Sequence, residues 1–155
     1  MAVNLAANVP EYLDEKYFDK VVRHIEKDSN AKVSNFEINS AVKPGENFAS
    51  AVFRAKVTFK SKFAKDGKTI SVIIKTKPIL GPELAAWSEI IEKAPFFRNE
   101  MEIYGKILPE IQSLLLSAGD KDVLSPKWVT TTYNVLSGDN DSKCMFYSDK
   151  ITLPI

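Results

Sequence analysis

Apolar side chains recur along this chain with two different periods, and the switches between them divide it into elements. After Pro10, which suits a first helical turn, Tyr12, Leu13, Phe18, Val21, Val22 and Ile25 return at helical spacing and predict one amphipathic helix running to Lys27. Lys32 to Val42 reads as a first strand, closed by Lys43, Pro44 and Gly45, which together forbid regular ladder pairing. From Phe48 to Phe59 aromatic and β-branched residues return as a second strand. Lys65-Asp66-Gly67-Lys68 predicts a hairpin turn, because Asp-Gly tolerates the positive φ of a tight reversal, and Thr69 to Thr76 follows as a third strand. Three consecutive strands with short connections predict an antiparallel meander.

The pattern changes at Pro78. Leu80, Gly81 and Pro82 lead into a short helical segment around Leu84, Trp87, Ile90 and Ile91, and Pro95 ends it. Phe97, Met101, Tyr104, Leu108, Ile111 and Leu115 then step by four or three, the spacing of one helix face laid on something flat. Gly105 and Pro109 weaken this central helix, so a kink or an early end is expected near Leu108. Two more strands follow, Lys127 to Leu136 and Lys143 to Ile151, separated by the turn-rich Ser137 to Ser142. The expected architecture is a single α+β domain over residues 1–155: a five-stranded antiparallel sheet packed on one main helix, with an N-terminal helix appended.

Composition narrows the function classes. The 155 residues are 45% hydrophobic, enough for one real core. Lys+Arg 21 against Asp+Glu 20 leaves a formal charge of +1, far from the basic excess of a phosphate-backbone binder, so nucleic acid is not expected as a partner. Cys144 is the single cysteine, which fits a reducing, cytoplasmic compartment. No stretch approaches the ~20 apolar residues of a membrane span, and a membrane is not expected as a partner either.

Two charged residues stand out once the elements are set. Strand alternation puts Ser71, Ile73 and Lys75 on one face of the third strand, so Lys75 is either a snorkelling edge residue or a charge with a buried partner. On the central helix Glu100 lies near the edge of the apolar face and Glu102 roughly opposite, which makes Glu100 the candidate partner. Its alternative is a solvated flank residue beside Tyr104 or Lys106. The glycine turn at Gly45 can bring backbone N–H groups close to phosphates, although an ordinary hairpin is the commoner explanation of one glycine.

The order of these features is that of a kinase-type small lobe: a glycine turn between strands one and two, a lysine near the end of strand three, then a helix glutamate. GENFASAVFRAKV, VIIKTKP and FFRNEMEIYGKILPEI resemble the N-terminal lobe of the ecdysteroid kinase-like family, which belongs with the choline and aminoglycoside kinase-like phosphotransferases. The phrase with Phe97, Glu100, Tyr104, Leu108 and Pro109 is the most specific part. The resemblance implies that Gly45, Asn47 and Ser50 belong to a nucleotide-covering loop, that Lys75 binds phosphate with Glu100 as its ion-pair partner, and that Val52 and Ile73 form apolar walls for adenine. It implies ATP with magnesium as cofactor in full-length relatives, which transfer phosphate to a hydroxyl group.

The sequence departs from that family in two ways. Ser148-Asp149-Lys150 stands where relatives carry Glu-Asp-Leu at the interlobe hinge. The His-Gly-Asp loop and the metal-binding aspartate of the C-terminal lobe have no counterpart, so the chain reads as a truncated small lobe with weak or no nucleotide binding, no metal site and no turnover of its own. Its exposed apolar surface then favours self-association. His24, the only histidine, reads as a helix-surface residue. The competing class is a non-catalytic α+β module that binds a protein or lipid. Asp139-Asn140-Asp141 opens like a calcium loop, but Lys143 and Lys150 stand at positions that need oxygen ligands. Lys60, Lys62, Lys65 and Lys68 around Asp66-Gly67 could meet a phosphate-rich partner or form a solvated hairpin.

Overall fold

A computed structural model describes residues 4–5, 9–43, 50–76, 89–90, 93–124, 127–133 and 142–148, with side chains described for all of these except 4–5, 127–128, 130–133 and 142–148. Within them the chain forms strand β1 (Asn4–Leu5), helix α1 (Glu15–Glu26), strands β2 (Lys32–Ser40), β3 (Ala51–Ser61) and β4 (Ala64–Thr76), helix α2 (Phe96–Glu102), a π-helical turn (Ile103–Ile107), helix α3 (Leu108–Ser117), and strands β5 (Lys127–Tyr133) and β6 (Ser142–Ser148). The α+β class predicted from sequence is what forms. The short helix expected around Leu84 and Trp87, the Gly45 turn and the residues 134–141 lie outside the described residues.

Among the described residues the sheet has six strands rather than the five expected, in the order β1-β2-β3-β4-β6-β5. The meander β2-β3-β4 is antiparallel as expected, and β6 and β5 extend it beyond β4. The extra strand is the two-residue β1, which pairs parallel with β2 through Asn4↔Glu37 and Leu5↔Ile38. Two residues carry no readable period, which is why the sequence does not announce them.

The first helix begins later than Pro10 suggests. Pro10 sits in a preceding turn, its carbonyl accepting from Leu13 N–H at 3.0 Å. Asp14 takes the N-cap, its Oδ1 accepting from Tyr17 N–H at 2.8 Å, a bond worth about 1 kcal/mol. Lys27 closes the helix in the left-handed conformation at φ 48. This helix covers the face of the sheet formed by Phe36 and Ile38 of β2, Phe53 to Phe59 of β3 and Ile70 to Ile74 of β4, all at alternate positions. Phe18 and Val22 are fully buried there.

That is a reversal of the expected roles. The N-terminal helix, predicted as an appendage, makes the main core, whereas the central helix buries only Phe97 among the described residues. Asp19 fixes α1 to β2: its carboxylate accepts from Val33 N–H at 2.9 Å, Lys32 Nζ at 2.9 Å and Arg23 Nη2 at 3.4 Å.

The β3–β4 reversal is also displaced from its predicted site. The chain turns at Lys62 and Phe63, with Ser61 paired to Ala64. Phe59 pairs with Lys68, so Lys65, Asp66 and Gly67 together face Lys60, and Gly67 at φ 101 sits in a bulge inside β4. The Asp-Gly signal was a genuine requirement for positive φ, met by a bulge instead of a turn. The end of α1 holds this hairpin. Asp28 accepts from Lys62 N–H at 2.7 Å, and Glu26 accepts from Ser61 Oγ at 2.9 Å and Lys68 Nζ at 3.4 Å.

The central helix runs through Gly105 and Pro109 instead of stopping. Pro109 has no N–H to offer, and Leu108 N–H reaches back to Ile103 O, five residues earlier, which makes the turn π-helical. The extra residue shifts the inward face: Phe97, Met101, Tyr104 and Leu108 are followed by Gln112 and Leu115, while Ile111 is 40% exposed. Gln112 uses its inward position to hold the following loop, donating to Asp122 O at 2.7 Å and accepting from Leu124 N–H at 3.0 Å.

Candidate functional site

Lys75 lies near the end of β4, a strand interior to the sheet, opposite Val52 of β3 on one side and Cys144 of β6 on the other. The edge-strand alternative for this lysine is thereby removed. Phe53, Ala55, Ile74 and Val72 face α1, so Val52, Arg54, Ile73 and Lys75 leave the other face, toward α2. Phe97 seats α2 on that face against Ile73, with Met101 and Tyr104 beside them.

One residue before Met101, Glu100 points at the lysine. Lys75 Nζ donates to Glu100 Oε2 at 2.8 Å and to Oε1 at 3.0 Å. The side chains are 26% and 22% exposed, partly withdrawn from solvent, and the pair is worth roughly 1–2 kcal/mol in such surroundings. A solvated flank glutamate does not describe this geometry.

The pair forms one wall of a pocket of about 280 Å³, lined among the described residues by Ser50, Lys75, Phe96, Phe97, Asn99, Glu100 and Ile103. Ser50, immediately before β3, is 3% exposed. Of the residues singled out from sequence, the structure thus brings Ser50, Lys75 and Glu100 to one pocket. Val52 and Ile73 share the face of Lys75, but Ile73 is engaged by Phe97. Gly45 and Asn47 lie outside the described residues, as do Asp149 and Lys150 at the expected hinge. Phe96, Asn99 and Ile103 were missed. Phe96, Phe97 and Ile103 stand four before, three before and three after Glu100, the positions that border a residue on a helix surface, so the same periodicity that selected Glu100 could have found them.

Cationic Lys75 suits an anionic oxygen ligand. Among the described residues there is no group of three or more His, Cys, Asp or Glu side chains able to hold a metal ion. His24 is exposed in the last turn of α1, far in sequence from these residues. No helix among the described residues is long and apolar enough to cross a membrane.

A lysine on a sheet interior, ion-paired to a glutamate on the helix that follows it, belongs to the vocabulary of kinase-like phosphotransferases. The ecdysteroid kinase-like family profile matches residues 44–146. That span is about two thirds of the chain and includes Ser50, Lys75 and Glu100, and the chain belongs to this family. No curated protein and no solved structure matches it.

Proposed function

We propose that this chain supplies the phosphate-binding part of a kinase-like nucleotide site, with Lys75 contacting phosphate oxygens of ATP and Glu100 holding the ammonium group in position. The observation that carries this reading is the paired contact of Lys75 Nζ with both Glu100 oxygens beside a pocket that Ser50 also lines. Bound ATP would supply the transferable phosphoryl group; the protein's own part is to hold and orient its oxygens. At about 280 Å³ the pocket falls just under the roughly 300–1,000 Å³ of complete small-molecule sites. It suits a phosphate end better than a whole nucleotide. Val52 would meet the base.

These residues bind weakly and do not turn over substrate. The 155 residues contain no His-Gly-Asp loop to orient an acceptor hydroxyl, and positioning with charge neutralisation is most of what phosphoryl transfer requires.

Amide chemical shifts during an ATP titration test the reading. Signals of Ser50, Lys75 and Asn99 should move with weak saturation, tripolyphosphate should reproduce the movement, and adenosine should not. Lys75→Met should abolish it, and Glu100→Gln should weaken it several-fold. No movement at any nucleotide concentration, or movement untouched by Lys75→Met, would sink the proposal.

A further inference from the structure

The tip of the β3–β4 hairpin gathers strong positive charge on a nearly neutral chain. Residues 60–68 carry four lysines and one aspartate, a formal +3, while the whole chain is +1, so all other residues together sum to −2. The folding of the tip sharpens this imbalance. Glu26 is spent on Ser61 and Lys68, and the Asp28 carboxylate is turned inward onto the N–H groups of Lys62 and Asn30. The exposed acid left at the tip is Asp66, against exposed Lys27, Lys60, Lys62 and Lys65.

At the apex stands Phe63, 71% exposed. A phenyl ring this exposed on a two-residue turn is joined to no hydrophobic core cluster of the described residues, and a polar residue or glycine would serve the turn as well. Lys62 Nζ lies 4.8 Å from its ring centroid, which puts cation and ring on the same protrusion. Single-stranded nucleic acid would also use the lysines and stack a base on the ring, but a formal charge of +1 is far from the basic excess such binding draws on. An interface with anionic headgroups above acyl chains uses both.

We propose that the β3–β4 tip is a peripheral membrane contact, Phe63 entering the headgroup boundary while Lys27, Lys60, Lys62 and Lys65 meet lipid phosphates. This departs from the expectation that a membrane is no partner, which rested on the want of a spanning segment; a peripheral contact needs none. β4 runs from Ala64 at the tip to Lys75 at the pocket, roughly 30 Å at strand rise, so a membrane held at one end leaves the ion pair clear at the other.

Sedimentation of the intact chain with vesicles decides the matter. Phosphatidylcholine mixed with phosphatidylserine should carry the protein down at low ionic strength and release it as salt is raised, whereas pure phosphatidylcholine should not bind it. Combining Lys60→Gln, Lys62→Gln and Lys65→Gln should weaken binding by about fivefold per lysine, and Phe63→Ser by about tenfold. In the otherwise intact chain, Phe63→Trp should add an emission component that shifts to the blue with the mixed vesicles alone. Failure to sediment with the anionic vesicles, equal binding to neutral ones, or undiminished binding by the lysine variant overturns the proposal. Binding to a DNA oligonucleotide without binding to vesicles also overturns it, in favour of a nucleic-acid contact.

Discussion

Asp19 keeps a carboxylate inside the α1–β2 contact, where burial alone would raise its pKa. The Val33 N–H bond, then the hydrogen bond and charge of Lys32, then Arg23, outweigh that and hold it below the ordinary 3.8. A carboxyl titrating below its unfolded value contributes stability that is complete above the unfolded value and lost as pH falls through the folded one. Asp19→Asn should therefore unfold in less urea at neutral pH, by about 1–3 kcal/mol, and the gap between the two chains should close in strong acid. Lys27 gives the opposite case. It occupies left-handed backbone at φ 48, which costs an L-residue roughly 1 kcal/mol, while its side chain is exposed. Lys27→Gly should raise the thermal midpoint by about 2–4 °C. Glu100 was legible in the sequence because helix and strand periods aim two charges at one space. Asp19 was not, since a carboxylate beside Val21 and Val22 gives no sign that a backbone N–H fourteen residues later will meet it.

Among the elements, the α2–α3 helix is the one whose irregularity has a chemical cause. Gly105 and Pro109 signalled a fault, and the chain answered with one extra residue in a turn instead of a break. If that is the whole difference, removing one residue there restores ordinary helical bonding and leaves both flanks facing as before. Deletion of Gly105 should therefore keep the helical circular dichroism and change stability by no more than about 1 kcal/mol, since glycine itself costs that much in a helix. Deletion of Asn99, outside the turn, should turn Phe97 or Glu100 off the sheet and lower the midpoint sharply. The strands were readable to within a few residues wherever one face is wholly apolar, as in Val57, Phe59, Ile70, Val72 and Ile74. The bulge was not, because an Asp-Gly pair reports a backbone angle and not whether a turn or an extra strand residue uses it.

At the scale of the molecule, α1 closes one face of the sheet, and among the described residues α2 seats only Phe97 on the other. Ile103, Ile107 and Ile111 are each about 40% exposed and Leu114 is 69% exposed, a line of apolar side chains along the π turn and α3. With a formal charge of +1 there is little net repulsion to keep copies apart. Sedimentation velocity should show association that rises with concentration, and Ile107→Glu with Leu114→Glu should abolish it without loss of fold; a chain that stays monomeric at every concentration contradicts this. Sequence pattern could not tell which amphipathic helix would own the core, because both offer an apolar stripe and the choice depends on how each reaches the sheet. The irregularity at Gly67 has one more consequence. A strand alternates sides with every residue, so an odd change of length upstream would normally swap the side from which every later group emerges. A bulge placed between the reversal and Ile70 can absorb such a change by widening or narrowing. A short reporter peptide spliced after Phe63 should accordingly be carried as a passenger, with the lysine eleven residues beyond Ala64 still emerging toward its glutamate.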